Sequence, residues 1–191
     1  MYTSILLIKK IFSAVDEKKC LLIGAGEMTQ LALKYLKSNN VHEITICNRK
    51  EEKGKKLAVD NNCRYSNLNN LSNIIHDFDI IITSTSSSLP LIGKGNIENA
   101  LEKRNNTSMV IIDLGVPRDV ESQIKNLNNV YLYTIDDLGE IIEKNYKIRE
   151  KSIKEAEEII KFKIIEYKNW LAENSSAEII KNYRDYVDDI T

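Results

Sequence analysis

The chain alternates between two hydrophobic patterns. Short unbroken apolar runs, rich in Ile, Leu and Val, begin at Cys20 (CLLIG), Glu43 (EITIC), Asp79 (DIIITS), Met109 (MVIIDLG) and Val130 (VYLYT), with a weaker run at residues 63–66. Such runs suit strands covered on both faces, because a half-exposed strand would alternate apolar and polar positions. Between the runs, apolar residues recur at helical spacing. Leu31, Ala32, Tyr35 and Leu36 do so after the first run, Leu57 and Ala58 close a charged stretch at residues 50–58, and a shorter helix is expected at 97–101. Pro90 and Pro117 fall just after strands, where loops belong. This alternation predicts an α/β fold with a doubly wound parallel sheet over residues 19–137.

Helical pattern flanks that unit on both sides. Ile5, Ile8 and Phe12, with Leu6 and Ile11 beside them, make one apolar face, so residues 1–18 are expected to carry a helix packed on the domain. Beyond Asp137 the strand pattern ends. Ile142, Tyr146, Ile153, Ala156, Ile160, Ile164, Tyr167 and Leu171 recur at three- or four-residue steps, with one turn skipped at Arg149. They predict a single amphipathic helix over residues 138–171, whose stripe must find cover elsewhere. Ser175, three residues before Glu178, reads as a capping box. It would open a second helix with Ile179, Ile180, Tyr183 and Val187 inward. Residues 138–191 are thus expected to form a long helix followed by part of a further helical region.

Composition narrows the function classes. The 191 residues carry a net charge of −1, so the overall balance does not favour nucleic acid or a membrane surface. No run is long and apolar enough for a membrane span, and the N-terminal apolar stretch lacks a preceding basic region and a cleavage site. The three cysteines, Cys20, Cys47 and Cys63, are odd in number and never spaced CxxC, which predicts neither a disulfide framework nor a metal site. They read as small hydrophobes in a reducing, cytoplasmic compartment.

Four segments carry candidate chemistry. Gly24-Ala25-Gly26-Glu27-Met28-Thr29 lies between the first strand and its helix. Gly24 permits the tight turn, Gly26 admits a pyrophosphate close to the backbone, and the helix N-terminus offers free amides. Thr29 stands where a third glycine is usual. Any tight strand-to-helix turn could use a GxG, but this one has the context of a Rossmann-type dinucleotide site. The next strand ends in Cys47-Asn48-Arg49-Lys50. An acid there would bind a ribose 2′-hydroxyl, whereas Arg49 and Lys50, with Asn48 beside them, suit a 2′-phosphate and hence NADPH. The alternative, a solvated helix start, fits the adjacent Glu51 and Glu52 equally well. The third segment is the Ser/Thr-rich loop at residues 83–90, whose Thr85 and Ser86 could meet a cofactor ribose. The fourth is Asp113-Leu114-Gly115-Val116-Pro117-Arg118-Asp119, with Gly115 near where a nicotinamide would lie. Arg118 and Asp119 are expected to pair or to cap the next helix.

These motifs together resemble the glutamyl-tRNA reductase family. The resemblance is carried by Gly24-Ala25-Gly26-Glu27-Met28, Asn48-Arg49, Ser84-Thr85-Ser86, Pro90-Leu91-Ile92-Gly93, the stretch from Asp113 through Val120, and Leu132-Tyr133-Thr134-Ile135-Asp136-Asp137-Leu138. Trp170-Leu171 and Ile179-Ile180-Lys181-Asn182-Tyr183-Arg184 resemble its spinal helix and dimerisation region. The resemblance implies an NADPH domain followed by a long helix. It also implies reduction of glutamyl-tRNA to glutamate-1-semialdehyde, the start of tetrapyrrole and hence heme synthesis. Under it, residues 24–29 hold the pyrophosphate, Asn48, Arg49 and Lys50 the 2′-phosphate, and Thr85, Ser86 and Gly115 frame the nicotinamide side.

The family's catalytic thiol lies in a domain that would precede residue 1. No cysteine here matches it, so no catalytic residue is assigned, and this chain alone is expected to bind NADPH without reducing glutamyl-tRNA. The expected partners are a second copy through the C-terminal helices, glutamyl-tRNA through the full enzyme, and a chain carrying the catalytic domain. Two other readings stay open: the cofactor domain of a shikimate-type NADP-dependent dehydrogenase, and a non-catalytic NADP-binding module.

Overall fold

The computed structural model describes residues 1–188, and of residues 151 and 174–178 it describes the backbone alone. The chain divides into two units, Met1–Ile142 and Glu143–Thr191.

The first unit is built on six parallel strands: β1 (Cys20–Ile23), β2 (Ile44–Asn48), β3 (Arg64–Asn67), β4 (Ile80–Thr83), β5 (Met109–Asp113) and β6 (Val130–Thr134). Their order across the sheet is β3-β2-β1-β4-β5-β6. Every apolar run read from the sequence is a strand, including the weak one. The chain starts in the middle, winds outward through β3, then returns to the other side of β1. The strand order therefore reverses between β1 and β4, where the carboxyl ends of such sheets leave a crevice.

Strand side chains alternate between two cores. Cys20, Leu22, Ile44, Ile46, Ile80, Ile82, Val110 and Ile112 face one side. Leu21, Ile23, Cys47, Ile81, Met109, Ile111, Val130 and Leu132 face the other. The first core is covered by α1 (Tyr2–Ile11), α2 (Glu27–Ser38) and α3 (Glu51–Asp60). The second is covered by α4 (Leu71–Ile74), α5 (Lys94–Lys103) and a 3₁₀ turn at Ser122–Asn126.

The helix faces need correcting in detail. In α1 the buried positions are Ser4, Ile5, Leu7 and Ile8, while Leu6 is exposed. In α2 they are Thr29, Ala32, Leu33 and Leu36, and Leu31 points outward. In each case two adjacent leucine or alanine positions were apolar, and tertiary packing chose between them.

The last helix, α6, runs from Ile135 to Asp188 without a break. It begins earlier than residue 138, because Thr134 caps it. The Asp137 carboxylate accepts from the Thr134 amide (2.7 Å), and the Asp137 amide donates back to the Thr134 hydroxyl (3.3 Å). The second helix expected after Ser175 is not separate. A capping residue needs non-helical backbone, and the backbone of residues 175–178 is helical, while their side chains lie outside the described residues. Within the Glu143–Thr191 unit, the stripe residues Tyr146, Ile153, Ile160, Ile164, Tyr167 and Leu171 are all exposed, as are Ile179, Ile180, Tyr183 and Val187, which were expected inward.

Candidate functional site

The strand reversal creates a cleft of about 500 Å³ at the carboxyl ends of β1, β2 and β4. Gly24, Ala25 and Gly26 form its floor. Gly24 adopts φ +115°, and a β-carbon there would stand 2.4 Å from the Ser84 carbonyl oxygen and 3.1 Å from the Thr29 hydroxyl. Its amide donates to the Cys47 carbonyl at 2.8 Å, and the Ser84 amide donates to the Ile23 carbonyl at 2.9 Å. The turn is thereby tied to the strands on either side. Gly26 is the N-cap of α2, no side chain caps that helix, and a β-carbon on Gly26 would meet nothing within 4 Å. The first amides of α2 are therefore open toward the cleft, with positive dipole character. An uncapped N-terminus beside a bare glycine is the arrangement a pyrophosphate needs.

Thr29 stands where a third glycine is usual. It is buried under the turn, its hydroxyl has no hydrogen-bond partner, and that hydroxyl adds a tight 3.1 Å contact to the Ser84 carbonyl clash that keeps position 24 a glycine. Glu27 and Met28 are exposed on the first turn of α2 and do not line the cleft.

One wall comes from β2 and α3. Asn48, Arg49, Lys50 and Lys53 line it, and among the described residues no Asp or Glu lines the cleft. The Asn48 side-chain amide donates to the Lys50 carbonyl at 2.8 Å, and the Tyr65 hydroxyl donates to the Asn48 carbonyl at 3.2 Å. These bonds fix the bend that presents the cations. Glu51 turns away to Lys55. Lys53 was missed in the sequence reading, although it lies one helical turn after Lys50.

The opposite wall comes from the loop after β4, where Ser84, Thr85 and Ser86 line the cleft with Leu91. Gly115 does not reach it. Its missing β-carbon makes room for Asp119, whose carboxylate oxygen would lie 2.6 Å away. Asp119 neither pairs with Arg118 nor caps a helix. It is fully buried and accepts from the Thr83 hydroxyl (2.5 Å), the Thr85 amide (2.8 Å) and the Thr85 hydroxyl. Arg118 instead pairs with Asp136 and donates to the Gly115 carbonyl at 3.2 Å. Asp113, also buried, accepts from the amides of Gly115, Asp119 and Val120. Burial, and secondarily the Asp119 charge, holds the Asp113 carboxyl above its usual range, against the pull of those amides. This network was not legible beforehand.

The thiols offer no nucleophile. Burial pushes Cys20 far up and Cys47 up to about 11, and it raises Cys63 as well. All three therefore stay protonated near neutral pH. Among the described residues no cluster of His, Cys, Asp and Glu could hold a metal, and no helix is long and apolar enough to cross a membrane.

A family model described as shikimate / quinate 5-dehydrogenase matches residues 6–141, the sheet, its helices and the cleft. The chain belongs to this family. Relatives similar along nearly the whole chain include glutamyl-tRNA reductases. That of Idiomarina loihiensis is 39% identical over 183 residues, covering 96% of this chain and 43% of the relative. The chain thus spans less than half the length of such relatives. The solved glutamyl-tRNA reductase of Methanopyrus kandleri matches 80% of this chain and 38% of its own at 30% identity and TM-score 0.72. The nucleotide-binding domain of the Thermoplasma volcanium glutamyl-tRNA reductase matches 78% of this chain and 96% of its own, at 26% identity and TM-score 0.60. The family match and the glutamyl-tRNA reductase similarity agree, since both centre on one nucleotide-binding domain.

Proposed function

We propose that this chain is the NADPH-binding part of a glutamyl-tRNA reductase. The observation that carries the reading is the cleft's cationic wall, Arg49, Lys50 and Lys53, facing a glycine turn with no carboxylate between them. A 2′-phosphate would find two ammonium groups and a guanidinium there, whereas a bare ribose would find no acid to accept from its hydroxyls. Gly24, Ala25 and Gly26, with the first amides of α2, hold the pyrophosphate. Thr85 and Ser86 face the nicotinamide half. NADPH bound there supplies a hydride, and this chain's residues bind and orient it.

The activity in this reading is reduction of glutamyl-tRNA to glutamate-1-semialdehyde in cytoplasmic tetrapyrrole synthesis. It requires a thiolate, and burial keeps all three thiols here protonated. In this reading the acylation step belongs to residues outside this chain, on the same enzyme or a partner. The exposed apolar side chains of α6 support association with a second copy, which sedimentation of the full chain would reveal.

The test is a calorimetric titration of the purified chain with NADPH and NADH. Binding of NADPH at least tenfold tighter than NADH, about 1.4 kcal/mol, is expected. Absence of NADPH binding overturns the reading. Oxidation of shikimate with NADP by the same material would replace it with a shikimate-type dehydrogenase.

A further inference from the structure

We propose that Asp119 is a positioning residue that turns the Thr85 hydroxyl into a hydrogen-bond acceptor for the nicotinamide half of the dinucleotide. The inference rests on the NADPH reading above and assigns a polarity to one wall of that site.

A threonine hydroxyl has one proton to give and two lone pairs. In this structure the Thr85 proton is committed to a carboxylate oxygen of Asp119. One lone pair is taken by the Ser87 amide, which donates to the Thr85 hydroxyl at 3.1 Å. What remains is a single acceptor site on a side chain that lines the cleft. A free hydroxyl would rotate to suit either a donor or an acceptor, but this one is held. The other Asp119 oxygen accepts from the Thr83 hydroxyl and the Thr85 amide, so the carboxylate itself is fixed by the ends of the β4 strand and loop. Asp119 is in turn seated by its own amide, which donates to Asp113 at 3.1 Å, and by the space left at Gly115. The ends of β4 and β5 are thus riveted by one buried acid.

Topology decides which end of the ligand meets Thr85. With the pyrophosphate over Gly24 and Gly26 and the 2′-phosphate toward the β2 wall, the remaining half must pass toward β4, where Thr85 stands. That half carries donors: the carboxamide N–H₂ and the ribose hydroxyls.

The experiment is a fluorescence titration of the full chain with NADPH and with 2′,5′-ADP, which has the adenosine phosphates and no nicotinamide. Asp119→Asn and Thr85→Val are expected to weaken NADPH roughly five- to twentyfold, the upper part of the range for one hydrogen bond between uncharged groups. They should leave 2′,5′-ADP within about twofold, well under the tenfold that 1.4 kcal/mol represents. Thr85→Ser should restore NADPH binding, because it keeps the hydroxyl. Thr85→Val keeps the Asp119 bonds to Thr83 and to the Thr85 amide, so it tests the idea even if Asp119→Asn folds poorly. The acetylpyridine analogue of NADPH lacks the carboxamide donor. If Thr85→Val no longer weakens this analogue, the donor is the carboxamide; if it still does, the donor is a ribose hydroxyl. Equal losses for NADPH and 2′,5′-ADP in Thr85→Val, or no loss for NADPH, overturn the proposal. Failure of the unaltered chain to bind either ligand overturns the cofactor reading instead.

Discussion

Gly24 and Ser84 meet backbone to backbone: a β-carbon on residue 24 would stand 2.4 Å from the Ser84 carbonyl oxygen, on a residue whose φ is +115°. Two residues on, Gly26 faces open space. The two glycines of one motif therefore serve different purposes, and alanine separates them. Gly24→Ala should destabilise the domain by about 1–3 kcal/mol, from left-handed strain and the carbonyl clash. Gly26→Ala should lower the thermal midpoint only slightly, through a weaker N-cap, and still weaken NADPH about tenfold or more, because its methyl group occupies the ligand's approach. Thermal melts and titrations of both variants check this. Equal loss of stability in the two would contradict it.

The cationic wall predicts a charge-dependent discrimination. Arg49→Glu removes a guanidinium from the cleft and adds an acid that a free ribose 2′-hydroxyl can use. NADPH affinity should fall by about 1.5–3 kcal/mol, the range for a hydrogen bond to a charged group, while NADH affinity holds or improves. Lys53→Ala should act in the same direction with a smaller effect, since an ammonium on an exposed helix face is better screened. Parallel titrations at fixed ionic strength measure both, and equal losses for the two cofactors would remove the phosphate from the argument.

Much of this site was legible because it is local. Strands such as Cys20–Ile23 are unbroken apolar runs, and the glycine turn directly follows one. Asn48, Arg49 and Lys50 follow another in the same way, and Lys53 could have been added from the three-residue step alone. What was hidden involves contacts across the sheet. Asp119 meets Thr83 and Thr85 from 36 and 34 residues away, and no periodicity marks that pairing. Gly115, expected from the sequence on the nicotinamide side, makes room for that acid, which pattern does not show. The helix at the end was misread for a different reason. Thr134–Asp137 and Ser175–Glu178 offer the same capping signature, and only the first coincides with a strand end, where the backbone leaves helical geometry.

Arg104 is a second long-range feature that pattern did not reveal. Its guanidinium, almost fully buried, donates to the carbonyls of His76 (3.1 Å), Phe78 (2.5 Å) and Ser108 (3.1 Å) and pairs with Asp79 at 2.5 Å. It ties the end of α5 to the segment entering β4, on the side of the sheet away from the cleft. Removing it leaves three carbonyls and a half-buried carboxylate short of donors. Arg104→Ala should cost about 3 kcal/mol or more, and Arg104→Lys should recover only part, since one ammonium cannot replace a planar fork. Urea unfolding measures the loss, and NADPH affinity below the transition should be unaltered.

The Thr134–Asp137 box predicts a pH dependence with a definite sign. Burial alone would raise the Asp137 carboxyl, but the Thr134 hydroxyl and amide, together with Lys125 at 2.9 Å, more than offset it and hold the group at about 2. An unfolded aspartate titrates near 4. A group depressed by folding stabilises the native state above its unfolded pKa, and that contribution disappears as pH falls toward the folded value. The box should therefore contribute fully above about pH 4 and fade between about pH 4 and 2. Asp137→Asn keeps the shape but loses the charge, and at neutral pH it should cost about 1 kcal/mol, the usual value of a helix cap. The difference in thermal midpoint between the two proteins should shrink steadily across that acid window. A difference that stays constant down to pH 2 would mean that the Asp137 side chain acts through its shape alone, and that the charge-assisted bonds to Thr134 and Lys125 contribute nothing to the start of α6.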